Sequence, residues 1–323
     1  MANFKEECNM TRIFFVSDVH GSEKCFRKFI NAGKIYKADV LILGGDITGK
    51  MIVPIVKQGN EYHADFIGKK WILNNEKELE SLEKKIRDSG YYPYLTDPNE
   101  LEELEADKSK VDKLFSELMV EQVKRWIKIA EERLKNTGIK CYITPGNDDR
   151  FDADKAFTES DYVINPEGKV VKIDDHHEMI STGFSNKTPW NSPREVTEER
   201  LEEIIEEMVS RVENMKNCIF NFHCPPYDTI IDVAPLLDET LKPVVKGGQT
   251  VMVHVGSVSV RKAIEKYQPL LGLHGHIHES RGVAKIGRTL CLNPGSEYTE
   301  GILRGVIINL DKGKIKSYMF TSG

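Results

Sequence analysis

Five short apolar runs in this 323-residue chain each lead, within a few residues, into side chains able to bind a cation. "RIFFVS" (12–17) leads into Asp18-Val19-His20-Gly21, and "DVLIL" (39–43) into Gly44-Gly45-Asp46. "KCYIT" (140–144) leads into Pro145-Gly146-Asn147-Asp148-Asp149. "CIFNF" (218–222) leads into His223, and "PLLGL" (269–273) into His274-Gly275-His276-Ile277-His278. Runs of this kind read as buried strands, and most are separated here by helical patterns. In open α/β sheets the carboxyl ends of strands line the crevice where ligands bind, so the fold must be one that gathers these ends. Residues two apart in extended chain point the same way, so Asp18 with His20, and His276 with His278, can serve one site.

The segments between the runs support an α/β fold. "SEKCFRKFINAG" offers Ser22 as an N-cap and Gly33 as a stop. Residues 197–215 place Leu201, Ile204, Ile205, Met208 and Val212 at helical spacing opposite a solvated acidic face. A further helical pattern runs over 256–267, and 169–182 suggests a pair of strands. After residue 280 short strands and turns take over, ending in a hairpin about Asp311-Lys312-Gly313. The expectation is two packed β-sheets flanked by helices, an αββα sandwich.

The rhythm breaks after Lys50. Two or three strands in "MIVPIVKQGNEYHADFIGKKWIL" precede a charged helix, "EKELESLEKKIRDSG". A second helical run follows from about Asn99 to Asn136, with an apolar stripe from Val111 to Leu134. Residues 1–49 and 109–323 are therefore read as the main domain, and 50–108 as an inserted α+β cap subdomain. Because it leaves directly after the Asp46 loop, the insertion is expected near the site mouth. Its excision is expected to spare activity on a small aryl phosphate while changing selectivity among larger substrates.

Composition narrows the partners. A net charge of −6 and a pI of about 5.9 argue against a broad nucleic-acid surface. The six cysteines are scattered with no C-x-x-C pair, a pattern of reduced thiols that points to the cytoplasm. The N-terminal "MANFKEECNMTR" has no apolar h-region, and no stretch reaches the roughly 18–20 apolar residues of a membrane span. A homo-oligomer is compatible with all of this.

No cysteine stands among the candidate ligands. Carboxylate, amide oxygen and imidazole together suit Mn, Fe, Zn, Co or Ni and argue against a thiolate structural zinc. Asp18, His20, Asp46, Asn147, His223, His276 and His278 are too many for one ion with an open position and suit two, which would share a carboxylate.

Asp-x-His, Gly-Asp, Gly-Asn, a later His and Gly-His-x-His, in this order, resemble the calcineurin-like metallophosphoesterase superfamily over nearly all of the chain outside the insertion. The trailing "NPGS" (293–296) resembles its small bacterial and archaeal branches. The resemblance implies an αββα sandwich with two divalent ions, manganese first among those named above. Asp18, His20 and His278 would hold one ion, Asn147, His223 and His276 the other, and Asp46 would bridge them. It implies hydrolysis of a phosphomonoester or phosphodiester of a small metabolite or nucleotide by in-line attack of metal-bound hydroxide. Arg150, Arg261 and the backbone at Gly256-Ser257 are candidate phosphate contacts. His274 lies outside the family pattern and is expected to be structural. His63, His176 and His177 are expected at the surface.

One position departs from the pattern. Many members carry His directly after the Gly-Asn asparagine, where it protonates the leaving group; here that residue is Asp148. An aspartate starts near a pKa of about 3.9 and two cations would favour its charged form. Asp148 is therefore expected to orient a neighbouring group and not to donate a proton. The alternative function is a metal-binding interaction or scaffold module of the same fold with little or no hydrolase activity.

Overall fold

The computed structural model describes residues 10–323, so the N-terminal segment and Cys8 lie outside the described residues. Two six-stranded sheets form the body. In the first, Thr11–Val16, Val40–Leu43, Lys140–Ile143 and Val163–Ile164 run parallel, and the Arg304–Asp311/Lys314–Ser322 hairpin adds antiparallel beside Thr11–Val16. In the second, Glu178–Thr182, Cys218–Phe222, Leu271–Leu273 and Thr289–Asn293 run parallel, with antiparallel strands Val170–Lys172 and Gly282–Ile286 at the edges.

The two-residue periodicity of strands decides what each face touches. Ile13, Phe15, Val40 and Ile42 pack with Met179, Ile219, Leu271 and Leu292 in a core between the sheets. Their sequence neighbours Phe14, Val16, Leu41 and Leu43 turn the other way, onto Phe26, Phe29, Trp126 and Leu134 of two helices, Glu23–Ile35 and Lys108–Leu134. Ile180, Phe220 and Phe222 likewise face Leu201, Ile205, Val260 and Ile264 of helices Glu198–Val209 and Val258–Tyr267. Helix, sheet, sheet and helix therefore stack in four layers. Strands buried on both faces explain why the runs are continuously apolar and not alternating.

Several local expectations are corrected. Gly33 does not end the first helix, which continues to Ile35. A side chain at residue 33 would instead crowd Ile139 and Leu41, so the glycine serves close packing. The second helical run is two helices, Pro98–Ala106 and Lys108–Leu134, broken at Asp107. Asp107 takes an extended conformation and its carboxylate accepts from Ser109 N–H, which begins a new helix. His177 is buried, not at the surface: its Nδ1 lies 2.8 Å from Asp174 Oδ1, and its Nε2 accepts from Gly313 N–H. His176 is exposed and His63 half-buried. The sequence reading also passed over a ribbon in 233–254, where Val233–Pro235 pairs with Met252–His254.

Residues 52–96 form a separate four-stranded sheet backed by helix Glu76–Asp88, with its own apolar cluster of Val53, Ile55, Leu73, Leu82 and Ile86. This subdomain is seated on the loops that carry His20 and Asp46. Tyr92 Oη accepts from Gly49 N–H at 2.7 Å, and Ser22 Oγ donates to Asp88 O at 2.7 Å. Gly90 lies so close that an added Cβ would stand 2.3 Å from the His20 carbonyl oxygen. Among the described residues, no helix is long and apolar enough to cross a membrane.

Candidate metal centre

The five loops meet at the carboxyl ends of the parallel strands. Backbone hydrogen bonds lace the first two together: Asp18 N–H to Gly45 O, His20 N–H to Asp46 O, and Gly21 N–H to Ile47 O, all between 2.9 and 3.0 Å. Gly275 N–H donates to His223 O, joining the two histidine loops at 2.9 Å. Side-chain direction comes from tight turning, not from the extended alternation expected. Asp18, His20, Asp46 and His276 all have positive φ, between 39° and 65°. Such conformations are costly for non-glycine residues and cluster at functional sites.

Three overlapping groups of donors result. Asp18, His20 and His278 offer ligand atoms within 4.8 Å of one another, and so do Asp46, His223 and His276, and His20, Asp46 and Asp148. The His20 and His278 Nε2 atoms face each other at 3.1 Å, and His278 Nε2 is 3.4 Å from Asp18 Oδ1. The Asp46 carboxylate stands between the groups, with Oδ2 3.5 Å from His20 Nε2 and Oδ1 3.5 Å from His223 Nε2. Gly146 is required here by close approach, since a Cβ on it would lie 2.2 Å from Asp46 Oδ1.

The donor set fits divalent cations. Asn147 Oδ1 and His223 Nε2 are buried without hydrogen-bond partners, a cost that a bound ion would remove. His223 Nδ1 lies 3.1 Å from Gly44 O, so that nitrogen carries the proton and Nε2 is the one turned to the cluster. Burial keeps the His20 ring neutral, pushing it down to about 3; Asp46 opposes this and the Lys50 charge adds to it. Burial likewise lowers His276 to about 4. Burial also opposes charge on His223, but Asp46 and Asp18 outweigh it and raise that ring to about 10.

The remaining candidates are distributed differently. Asp148 N–H donates to Asp46 Oδ1 at 3.0 Å, while its carboxylate accepts from Ser192 Oγ and pairs with Lys50 Nζ at 2.5 and 2.8 Å. Arg150 is drawn away onto Asp112 at 2.6 Å and lies over the Phe115 ring. Ser257 is the N-cap of helix Val258–Tyr267 and donates to Glu198. Arg261 is bound to the Tyr227 and Asp228 carbonyls and to Glu265. The backbone amides of Gly256 and Ser257 donate to Asp232 Oδ2 and Pro225 O, so each expected phosphate contact has a protein partner in the structure. His274 is fully buried, with Nδ1 2.8 Å from Phe222 O and 3.1 Å from Cys224 O, so it braces the chain on both sides of His223.

Three residues given no role by the sequence reading matter. Asp149 is fully buried and accepts from Ile47 N–H, Thr48 N–H, Thr48 Oγ and Gly146 N–H, tying the Asp46 loop to the Asn147 loop. Tyr298 packs its ring 4.7 Å from that of His20. Lys50 closes the cluster beside Asp148. Two consecutive carboxylates after Asn147 were a usable sign that one of them faces inward; Lys50 and Tyr298 had no local sign. Asp149→Ala would leave three buried N–H donors unpaired, each costing about 1–3 kcal/mol. Chemical denaturation of the metal-free protein should show a loss of about 3 kcal/mol or more.

An uncharacterized protein of Methanocaldococcus jannaschii, MJ1162, is 38% identical over 135 residues, which is 41% of this chain and 54% of that protein. The match thus spans about half the length of that curated relative. TT1561 of Thermus thermophilus is similar in fold, with a TM-score of 0.51 at 13% identity over 97% of this chain and 98% of its own. A further solved chain gives a TM-score of 0.57 at 15% identity over the same shares. The family model described as calcineurin-like phosphoesterase matches residues 11–280. This chain belongs to the calcineurin-like phosphoesterase family.

Proposed function

We propose that this chain is a dinuclear-metal-dependent phosphoesterase acting on a phosphomonoester or phosphodiester of a small metabolite or nucleotide. The observation that carries the reading is the Asp46 carboxylate, with one oxygen 3.5 Å from His20 Nε2 and the other 3.5 Å from His223 Nε2. Asp18, His20 and His278 would hold one ion, Asn147, His223 and His276 the other, with Asp46 common to both. Divalent ions bound there would supply Lewis acidity toward phosphoryl oxygens and lower the pKa of water. Manganese is the proposed ion; iron, zinc, nickel and cobalt suit the same oxygen and nitrogen donors.

The chain's own residues do the orienting. Gly44 O fixes the His223 tautomer, and the Asp148 amide holds one Asp46 oxygen in place. Asp148, whose carboxylate binds Ser192 and Lys50, would act as an orienting residue. The five described cysteines are free and buried, which supports a cytoplasmic setting.

The test is turnover of an aryl phosphate and its bis-aryl diester with added Mn, Fe, Zn, Ni or Co. Hydrolysis that is lost on chelation and regained on metal addition is expected. No turnover of either ester with any of the five would favour a metal-bearing interaction module instead.

A further inference from the structure

Lys50 is the first residue of the 50–108 insertion, two residues before its strand Ile52–Gln58, and its ammonium is held at the edge of the donor cluster. Nζ lies 2.8 Å from Asp148 Oδ2. A carboxylate oxygen of Asp148 is in turn within 4.8 Å of ligand atoms of both His20 and Asp46. Lys50 is therefore one carboxylate removed from the metal ligands. Its side chain is 48% exposed, so a ligand arriving from solvent can reach it.

The pairing does not cancel its use. Asp148 spends Oδ1 on Ser192 and Oδ2 on Lys50. An ammonium has three N–H donors, and one suffices for Asp148, leaving two for an incoming acceptor. Asp148 also restrains a flexible side chain that would otherwise lose rotamer entropy on binding. Cation, donors and position thus coincide at Lys50.

We propose that Lys50, positioned by Asp148 and Ser192, is the substrate-phosphoryl contact of this site and tunes it toward phosphomonoesters. The proposal rests on the phosphoesterase reading above. A monoester near neutral pH presents three non-bridging oxygens and up to two negative charges, whereas a diester presents two oxygens and one charge. A fixed cation beyond those in the metal positions therefore favours the monoester, through a charge-assisted contact with its additional oxygen. Lys50 binds and orients here and transfers no proton.

The experiment compares wild type, Lys50→Gln and Lys50→Arg, each loaded with manganese and checked for metal content. Inorganic phosphate is titrated by calorimetry, and kcat and KM are measured for an aryl phosphate and its bis-aryl diester. Lys50→Gln should keep its metal and bind phosphate about 10-fold more weakly, as loss of a charged contact entails. Its kcat/KM for the monoester should fall about 10–100-fold, mainly through KM, with the diester changed less than about 3-fold. Lys50→Arg should recover much of both losses. Unchanged phosphate affinity, an equal fall for both esters, or loss of metal in Lys50→Gln would each overturn the proposal. If wild type hydrolyses neither ester, the phosphoesterase reading fails, and the phosphate titration alone still decides whether Lys50 is the phosphoryl contact.

Discussion

Replacing Asp46 by asparagine is expected to remove metal and turnover together. The carboxylate offers one oxygen toward His20 and the other toward His223, each at 3.5 Å. Asparagine keeps one oxygen but presents an NH2 group on the other side, and it carries no charge to offset two cations. The Asp148 N–H, which donates to Asp46 Oδ1 at 3.0 Å, would keep the amide oxygen on that side and turn the NH2 toward His20 in place of a ligand oxygen. Loss of an outer partner of a metal site typically costs about 10–100-fold in affinity or activity, so loss of a shared ligand should exceed about 100-fold. Metal analysis and turnover on the same preparations measure this. Two tightly held metals per chain with near-normal turnover would rule out Asp46 as the shared ligand.

A single methyl group at Gly90 should act on the metal centre from within the inserted subdomain. Gly90 has φ +87°, and a Cβ there would stand 2.3 Å from the His20 carbonyl oxygen. Gly49 is the adjoining contact, where a Cβ would lie 2.5 Å from Gly90 O. Gly90→Ala must therefore push the subdomain off the loop that carries His20. Gly59 supplies the control, with a similar positive φ of 62° and nothing within 4 Å of an added Cβ. Both alanines share the left-handed backbone penalty of roughly 1–2 kcal/mol. Only Gly90→Ala should also lower metal affinity, by about 10–100-fold if it displaces a ligand as loss of an outer partner does. Equal metal affinity in the two variants would mean that the insertion sits on the centre without shaping it.

This contact revises what excision of 50–108 should do. As a simple cover, the insertion could be removed with the metals retained. Seated as it is, its removal takes away the Gly90 turn against His20, the Tyr92 hydroxyl that accepts from Gly49 N–H, and Lys50 itself. We propose that excision impairs metal binding as well as changing selectivity.

The legible part of the site was the part encoded in strand ends. An apolar run followed by Asp, Asn or His is visible in the sequence, because a strand buried on both faces must be apolar and the residue after it stands at the sheet edge. The conformation of those residues was not legible. Extended alternation was the simplest way to aim Asp18 with His20, whereas both have positive φ and are held there by bonds to the Asp46 loop. Partners brought from a distance were equally hidden. Ser192 reaches Asp148 across 44 residues, and Asp149 reaches back to Thr48 across 101. Arg150 and Arg261 attracted attention as cations near motifs, yet each satisfies nearby carboxylates and carbonyls. Lys50 carried no motif, and its place is decided by a carboxylate that looked like a catalytic candidate in its own right.

The most direct test of the dinuclear site is anomalous diffraction from crystals grown or soaked with manganese. Two peaks per chain are expected, separated by roughly 3.5–4 Å as in other two-metal sites. One should be contacted by Asp18, His20 and His278, the other by Asn147, His223 and His276, and Asp46 should reach both. A single peak, or two peaks that share no contact with Asp46, would contradict the dinuclear site.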